Sequence, residues 1–182
     1  MIYDVVLEGD PILEHVADKF DFFNPPIDPK ELFDNMKETL LDQRGLGLSA
    51  NQCGLPYSMF VFGNPDEPDS ISGMYNPQIV EYNGDKYYEE EGCLSFPGWF
   101  IRIPRSQGVR VRFTSWNGET GSRQLEGLES RVFQHEFDHL LGITFKKRAK
   151  ASDLTKARKQ KTKLDRIRKR VKNEQTKEDR ST

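Results

Sequence analysis

Gln134-His135-Glu136-Phe137-Asp138-His139-Leu140 holds two of the chain's three histidines, four residues apart, with a glutamate directly after the first. Apolar residues at helical spacing around it predict a helix from about Leu128 to Leu141, with Gly142 as its stop. Histidines at i and i+4 then lie one turn apart on the same face, where two imidazoles can bind one metal ion. Glu136 can reach a water on that ion without being a ligand itself. A His-x-x-x-His pair alone is commonly just a solvated helix face, but the full HExxH pattern points to a metal centre. It leaves the third ligand open, and the reaction depends on that ligand.

Working outward, 182 residues suit one globular domain with an appendage. Residues 1–27 read as irregular, with Gly9-Asp10-Pro11 as a turn and Ile12 and Leu13 as anchors to the core. Asp28-Pro29 opens a helix, Asp as N-cap and Pro at its first position, and Leu32, Phe33, Met36, Leu40 and Leu41 give it one apolar face. Gly45 is placed to end it. Gly45–Gln52 (GLGLSANQ) is rich in small residues, and by itself reads as a loop or as a strand where backbones approach closely. Ser58–Gly63 reads as a strand. Three short strands follow at Met74-Tyr75, Ile79–Tyr82 and Tyr87–Glu89, with turns at Asn76-Pro77 and at the hairpin signal Asn83-Gly84. Val109–Ser115 alternates as a half-buried strand does, Asn117-Gly118 is a turn, and Gln124–Glu126 is a further short strand. The expected class is α+β: short, mostly antiparallel strands around a central HExxH helix, plus a basic C-terminal helix.

A catalytic metal of this kind takes about three protein ligands and keeps one position for water. A glutamate some 20 residues downstream would fall in the Lys/Arg-rich tail, a poor platform. The HExxHxxGxxH arrangement fails because Phe145 stands where the third histidine would be. A cysteine remains, and Cys93 sits in a tight Gly-Cys-Leu-Ser segment after a strand.

GLGLSANQ at Gly45–Gln52, EGCLS at Glu91–Ser95 and QHEFDH at Gln134–His139, in this order and spacing, resemble the three motifs of the peptide deformylases. Gly9–Leu13 and Pro104-Arg105 are similar to the same family, and the resemblance covers about residues 3–148. Ser49 departs from it, standing where the family usually has alanine. The resemblance implies hydrolysis of the N-formyl group from the starting methionine of new peptides, with release of formate. It implies Cys93, His135 and His139 as metal ligands, Glu136 as acid/base, and Gln52 with the Leu94 backbone N–H as oxyanion donors. Ferrous iron is then the expected native ion, with zinc, nickel or cobalt able to replace it. Leu128 and Val132 share a helical stripe with His135 and His139, and read either as an apolar pocket for the methionine side chain or as plain core. The edge containing Leu46 and Gly47, together with Gly92, could pair with a peptide backbone as an added strand. Glu91 and Arg105 are expected to pair and brace the Cys93 loop. Trp99 and Phe100 either line the entrance or pack, and Cys53 reads as a buried thiol.

Charge divides the chain sharply. From Lys146 onward there are 16 Lys and Arg against 5 Asp and Glu, a net of +11, which leaves −13 for the rest. This sets a catalytic domain at 1–148 apart from a basic helix and tail at 149–182. The tail reads either as a solvated helix or as one that faces ribosomal RNA. Its apolar stripe has no aromatic residues, which argues against a membrane role, and no apolar run approaches the ~20 residues that span a bilayer. The N-terminus resembles no signal peptide, so a cytoplasmic protein is expected, and a monomer. Two other function classes stay open at this stage: a binding module with a structural metal, and a general zinc peptidase.

Overall fold

A computed structural model describes residues 1–178, with residues 172–178 as backbone. Five antiparallel strands form one sheet in chain order: β1 (Gly47–Ser49), β2 (Met59–Phe62), β3 (Ser72–Glu91), β4 (Ile101–Thr114) and β5 (Thr120–Glu126). Three helices accompany it: α1 (Pro29–Gln43), α2 (Gly127–Leu140) and α3 (Ala151–Glu178). Among the described residues no helix is long and apolar enough to cross a membrane.

Strand β2 shows how the layers are built. Its four residues, Met59-Phe60-Val61-Phe62, are all buried. Met59 and Val61 join Leu32, Met36 and Leu40 of α1, whereas Phe60 and Phe62 join Phe133 and Leu140 of α2. A strand covered on both faces reads as a continuous apolar run rather than an alternating one. The two helices therefore pack on opposite faces of the sheet.

Helix α1 begins where its caps predict: the Asp28 side chain accepts from the Glu31 N–H at 2.8 Å, with Pro29 next. It ends one residue earlier than Gly45 implied, because Arg44 takes the left-handed conformation (φ 52°). Gly45 is small for another reason. A Cβ there would lie 2.9 Å from Leu94 Cδ1 and 3.1 Å from Leu40 Cδ1, so it lets the Leu94 loop close onto the helix end.

The larger correction concerns residues 72–91. They form one 20-residue strand, not three short ones, and Asn83-Gly84 is not a hairpin turn. A two-residue hairpin of this type needs positive φ at both central residues, and of the pair only Gly84 (φ 70°) has it. The register instead slips between Asn83 and Lys86, and again after Tyr75, where Asn76 (φ 47°) sits. These are β-bulges, which bend a strand without ending it. Asn76 uses its bulge to hold the N-terminal segment: its Oδ1 accepts from the Phe20 N–H at 2.8 Å and its Nδ2 donates to Phe20 O at 2.9 Å. The functional consequence is that β3 runs on to Glu91, so its connection to β4 is the segment from Gly92 to Phe100 that carries Cys93.

Helix α2 stops at Leu140, and Gly142 (φ 65°) turns the chain under the carbonyl of Glu14. The N-terminal segment closes over that end through Ala17 N–H to Leu140 O at 2.8 Å. Phe145 does not reach for a ligand position. It is buried against Phe96 and the His135 ring, with centroids 5.6 Å away in each case.

Candidate active site

Helix α2 is fixed to the sheet before it can present anything. Gln134 accepts from the Ser106 N–H (3.1 Å) and donates to Ser106 O (3.0 Å), so its amide completes β4 like a short piece of backbone. Asn51 donates to His139 O at 2.6 Å from the other side. The turn carrying both histidines is thus held between β4 and the 3-10 turn that follows β1.

Three donors converge there. One ligand atom from each of Cys93, His135 and His139 lies within 4.8 Å of the others, and Cys93 Sγ is 3.3 Å from His139 Nε2. Metal–nitrogen and metal–sulfur bonds of about 2.0 to 2.3 Å in tetrahedral array put neighbouring donors about 3.5 Å apart. The set therefore fits a divalent ion. His135 Nδ1 lies 3.0 Å from Glu91 Oε2, which fixes its tautomer and leaves the other nitrogen as the donor. His139 Nδ1 and Glu136 Oε2 are buried without a protein partner among the described residues, which is uncommon away from sites built for an ion or water.

The surroundings set the charges. Burial raises the Glu91 carboxyl, but hydrogen bonds to His135 and Arg105 outweigh it and hold it at about 2. Burial works against a charged His135, and its contacts with Cys93 and Glu91 overcome this and push it well above the usual imidazole range. His139 goes the other way, held well below that range by burial and by His135. Burial pushes the Glu136 carboxyl up to about 7.

Gln52 is oriented rather than free. Its Oε1 accepts from the Ser49 N–H at 2.9 Å, with the Ser49 hydroxyl also 2.9 Å away, so its NH2 turns to Cys93 Sγ (3.4 Å) and Ser95 Oγ (3.2 Å). The Leu94 N–H has no acceptor among the described residues.

Glu91 and Arg105 do pair, bidentately, at 2.9 and 3.0 Å, and both side chains are about 95% buried. What sequence reasoning missed is the rest of that network. Arg105 also reaches Asp138 at 2.5 Å, Arg131 reaches Glu91 at 2.6 Å, and Arg148 reaches Asp138 at 2.6 Å. Asp138 lies inside the HExxH stretch, and a carboxylate fixed between two ligands was the one signal that a buried cation had to be near.

A cavity of about 630 Å3 opens beside these donors. Leu46, Gly47, Gln52, Gly92, Cys93, Leu94, Leu128, Val132, His135 and Glu136 all line it, whereas the buried His139 does not. Leu128 is not core, being 58% exposed at the cavity wall; Val132 lines the wall and also packs on the α2 core. Trp99 and Phe100 line the cavity, Trp99 also packing in the core, and Cys53 is buried as expected.

Gly47 meets Glu136 more closely than any side chain would permit: a Cβ there would lie 2.5 Å from Glu136 Oε1 and 2.8 Å from its Cδ. Gly47→Ala must displace the carboxylate or β1. Misplacing a reacting group by about 1 Å costs on the order of 100-fold, so kcat should fall ten- to hundredfold. Steady-state kinetics beside an unchanged melting temperature would separate this from misfolding.

Comparison with known proteins places the geometry. The family model described as polypeptide deformylase matches residues 2–155. The chain is 39% identical over 153 residues to a peptide deformylase of Aquifex aeolicus, covering 82% of this chain and 89% of that one. Among solved structures it is similar to a peptide deformylase from Legionella pneumophila (TM-score 0.82, 29% identity, 93% of this chain and 99% of that one). It is similar also to one from Plasmodium falciparum (TM-score 0.80, 31% identity, 91% and 97%).

Proposed function

The chain belongs to the polypeptide deformylase family, metal-dependent hydrolases that deformylate nascent polypeptides, and we propose how its residues divide that work. The observation that carries the proposal is the convergence of one thiol and two imidazoles beside a buried carboxylate that is not among them.

Cys93, His135 and His139 hold the ion, and Glu91 orients His135. A divalent ion held by these three residues would supply a water activated toward neutral pH. Glu136 takes a proton from the attacking water and passes it to the amide nitrogen, so the C–N bond breaks to give a neutral amine and formic acid, which ionises to formate by losing its own proton to solvent. As the formyl oxygen gains charge, Gln52 Nε2 and the Leu94 N–H donate to it. Leu128 and Val132 receive the methionine side chain. The main chain at Leu46-Gly47 and at Gly92 pairs with the peptide backbone as an added strand.

The decisive assay is formate release from formyl-Met-Ala, run beside the unformylated peptide. Cleavage of the unformylated peptide would favour a general peptidase. Binding of peptide and metal with no turnover of either would favour a binding module. Chelation by 1,10-phenanthroline should abolish turnover and lower the melting temperature, because an ion bound only to the folded state stabilises it. Ferrous iron is the ion we propose as native. A thiolate–iron site is open to oxidation, so activity should decay in air with the iron form and persist with nickel or zinc. An iron form stable in air overturns that choice.

Residues 1–148 are proposed as the catalytic unit and 149–182 as a basic appendage, anchored because Leu154 and Ala157 pack against Phe96 and Trp99. A cytoplasmic monomer touching ribosomal RNA through the solvent side of α3 fits this arrangement. Lys159, Lys163, Arg166 and Arg170 are exposed there. Replacing all four by Gln should weaken co-sedimentation with ribosomes and flatten its salt dependence. Unchanged pelleting at low and moderate salt would remove the docking idea.

A further inference from the structure

The inner face of α3 changes character as it passes the Phe96–Trp99 loop. Leu154, Ala157, Lys161 and Arg168 fall on one stripe, at offsets of 0, 3, 7 and 14 residues. The first two are apolar and packed under the Phe96–Trp99 loop. Further on, the same stripe alternates cations with partly exposed apolar residues: Lys161, Leu164, Arg168 and Val171. Both cations lie on the tip of the loop: a Cβ on Gly98 would stand 3.7 Å from Arg168 Nη1 and 3.9 Å from Lys161 Cγ. Gly98 is itself part of the cavity wall, together with Pro97, Trp99 and Phe100. The stripe is therefore mixed, and its two cations sit against a loop that forms part of the cavity wall.

The charges around the mouth are unevenly matched. Lys161 pairs with Asp165 at 2.7 Å, but Arg168 makes no ion pair among the described residues. Arg44 lines the cavity itself, paired with Asp66 at 3.3 Å where both are largely exposed and the pair is weak. The acids nearby have basic neighbours already. Glu90 stands opposite Arg102 in the β3–β4 register, and Glu8 is held by Lys146. From Ala151 to Val171 the helix carries nine Lys and Arg against two Asp. The helix therefore brings net positive charge beside the Gly98 wall of the cavity, although the body of the protein is acidic.

We infer that Lys161 and Arg168 select among substrates, favouring formylated peptides with acidic side chains a few residues after the formyl-methionine. The inference rests on the deformylase reading above. A peptide leaving the cavity in extended form advances about 3.3 Å per residue, so its third to fifth side chains emerge at the rim rather than within the site. Charges there act on encounter and on KM, not on the chemical step.

The test compares formyl-Met-Ala-Ala-Glu-Glu with formyl-Met-Ala-Ala-Lys-Lys, using formyl-Met-Ala as a substrate too short to reach the rim. At low salt, kcat/KM should favour the Glu peptide by about five- to tenfold. The preference should fade at roughly 0.5 M NaCl, where charges are screened within a few ångströms. It should vanish in K161Q/R168Q and invert in K161E/R168E, with formyl-Met-Ala turned over equally by all three proteins. Equal turnover of the two longer peptides by the wild type overturns the inference, as does a preference unchanged in the charge-reversed protein. If the wild type releases no formate from formyl-Met-Ala, the deformylase reading itself falls, which the short substrate reports separately.

Discussion

Glu136→Gln should lower kcat about 100- to 10,000-fold while leaving metal content at one ion per chain, since that is what a positioned acid/base group contributes. The substitution keeps the shape of the side chain and removes only its ability to carry a proton. Glu136 contributes no atom to the group formed by Cys93, His135 and His139, so the ion should remain. Its pocket explains why a carboxylate can serve. Burial lifts it to about 7, near the operating pH, and the charge of a bound ion would draw it down from there. Gly47 clears the space in front of it, and Oε2 is left without a partner among the described residues. Metal analysis beside single-turnover kinetics makes the test clean. A metal-loaded Gln variant with turnover near wild type would sink the acid/base role, and one that has lost its metal would move Glu136 into the ligand set. The Gly47→Ala variant should show a milder loss by the same route, through displacement of the carboxylate.

The parts of this fold that were legible in the sequence are those set by local chemistry. Asp28-Pro29 starts a helix because a side-chain oxygen and a missing N–H both suit a helix N-terminus. His135 and His139 share a face because the helical period requires it. The run at Met59–Phe62 reads as a strand because all four side chains are covered. What stayed hidden depends on distant partners. Asn83-Gly84 has the composition of a hairpin turn, and only pairing with β4 on both sides of it makes it a bulge inside a longer strand. Arg131 and Arg148 look like ordinary surface cations until Glu91 and Asp138 are placed beneath them. Gly47 reads as a flexible residue, and its close approach to Glu136 joins segments 89 positions apart. The charge of the basic tail suits a solvated or an RNA-facing helix, and only tertiary packing sets Lys161 and Arg168 beside Gly98 of the cavity wall.

The buried network is where a single substitution should cost the most stability. Arg105→Met is expected to destabilise the fold by about 3 kcal/mol, the lower end of what breaking a buried ion pair costs. The loss is not larger because each stranded carboxylate keeps one cation: Glu91 retains Arg131 at 2.6 Å, and Asp138 retains Arg148 at 2.6 Å. It is not smaller because Arg105 makes four bonds, to both oxygens of Glu91, to Asp138 and to the Gln134 carbonyl, and methionine makes none. Arg105→Lys should recover only part of the stability, since an ammonium cannot reproduce the bidentate fork. The pH dependence should change as well. Glu91 is held far below its ordinary value of 4.5, so in the wild type its share of stability is complete above that value and is lost as pH falls toward about 2. Without Arg105 that window narrows from its acid side, and acid unfolding should begin at higher pH. The effect should reach the metal too, because Glu91 holds the His135 ring: losing such a support lowers metal affinity by about ten- to a hundredfold. Denaturant titration, an acid-unfolding curve and a metal competition assay on the same variant test all three. A stability change under about 0.5 kcal/mol, the range of an ordinary surface substitution, would show that Arg131 and Arg148 carry the network alone, with Arg105 only filling the space between them.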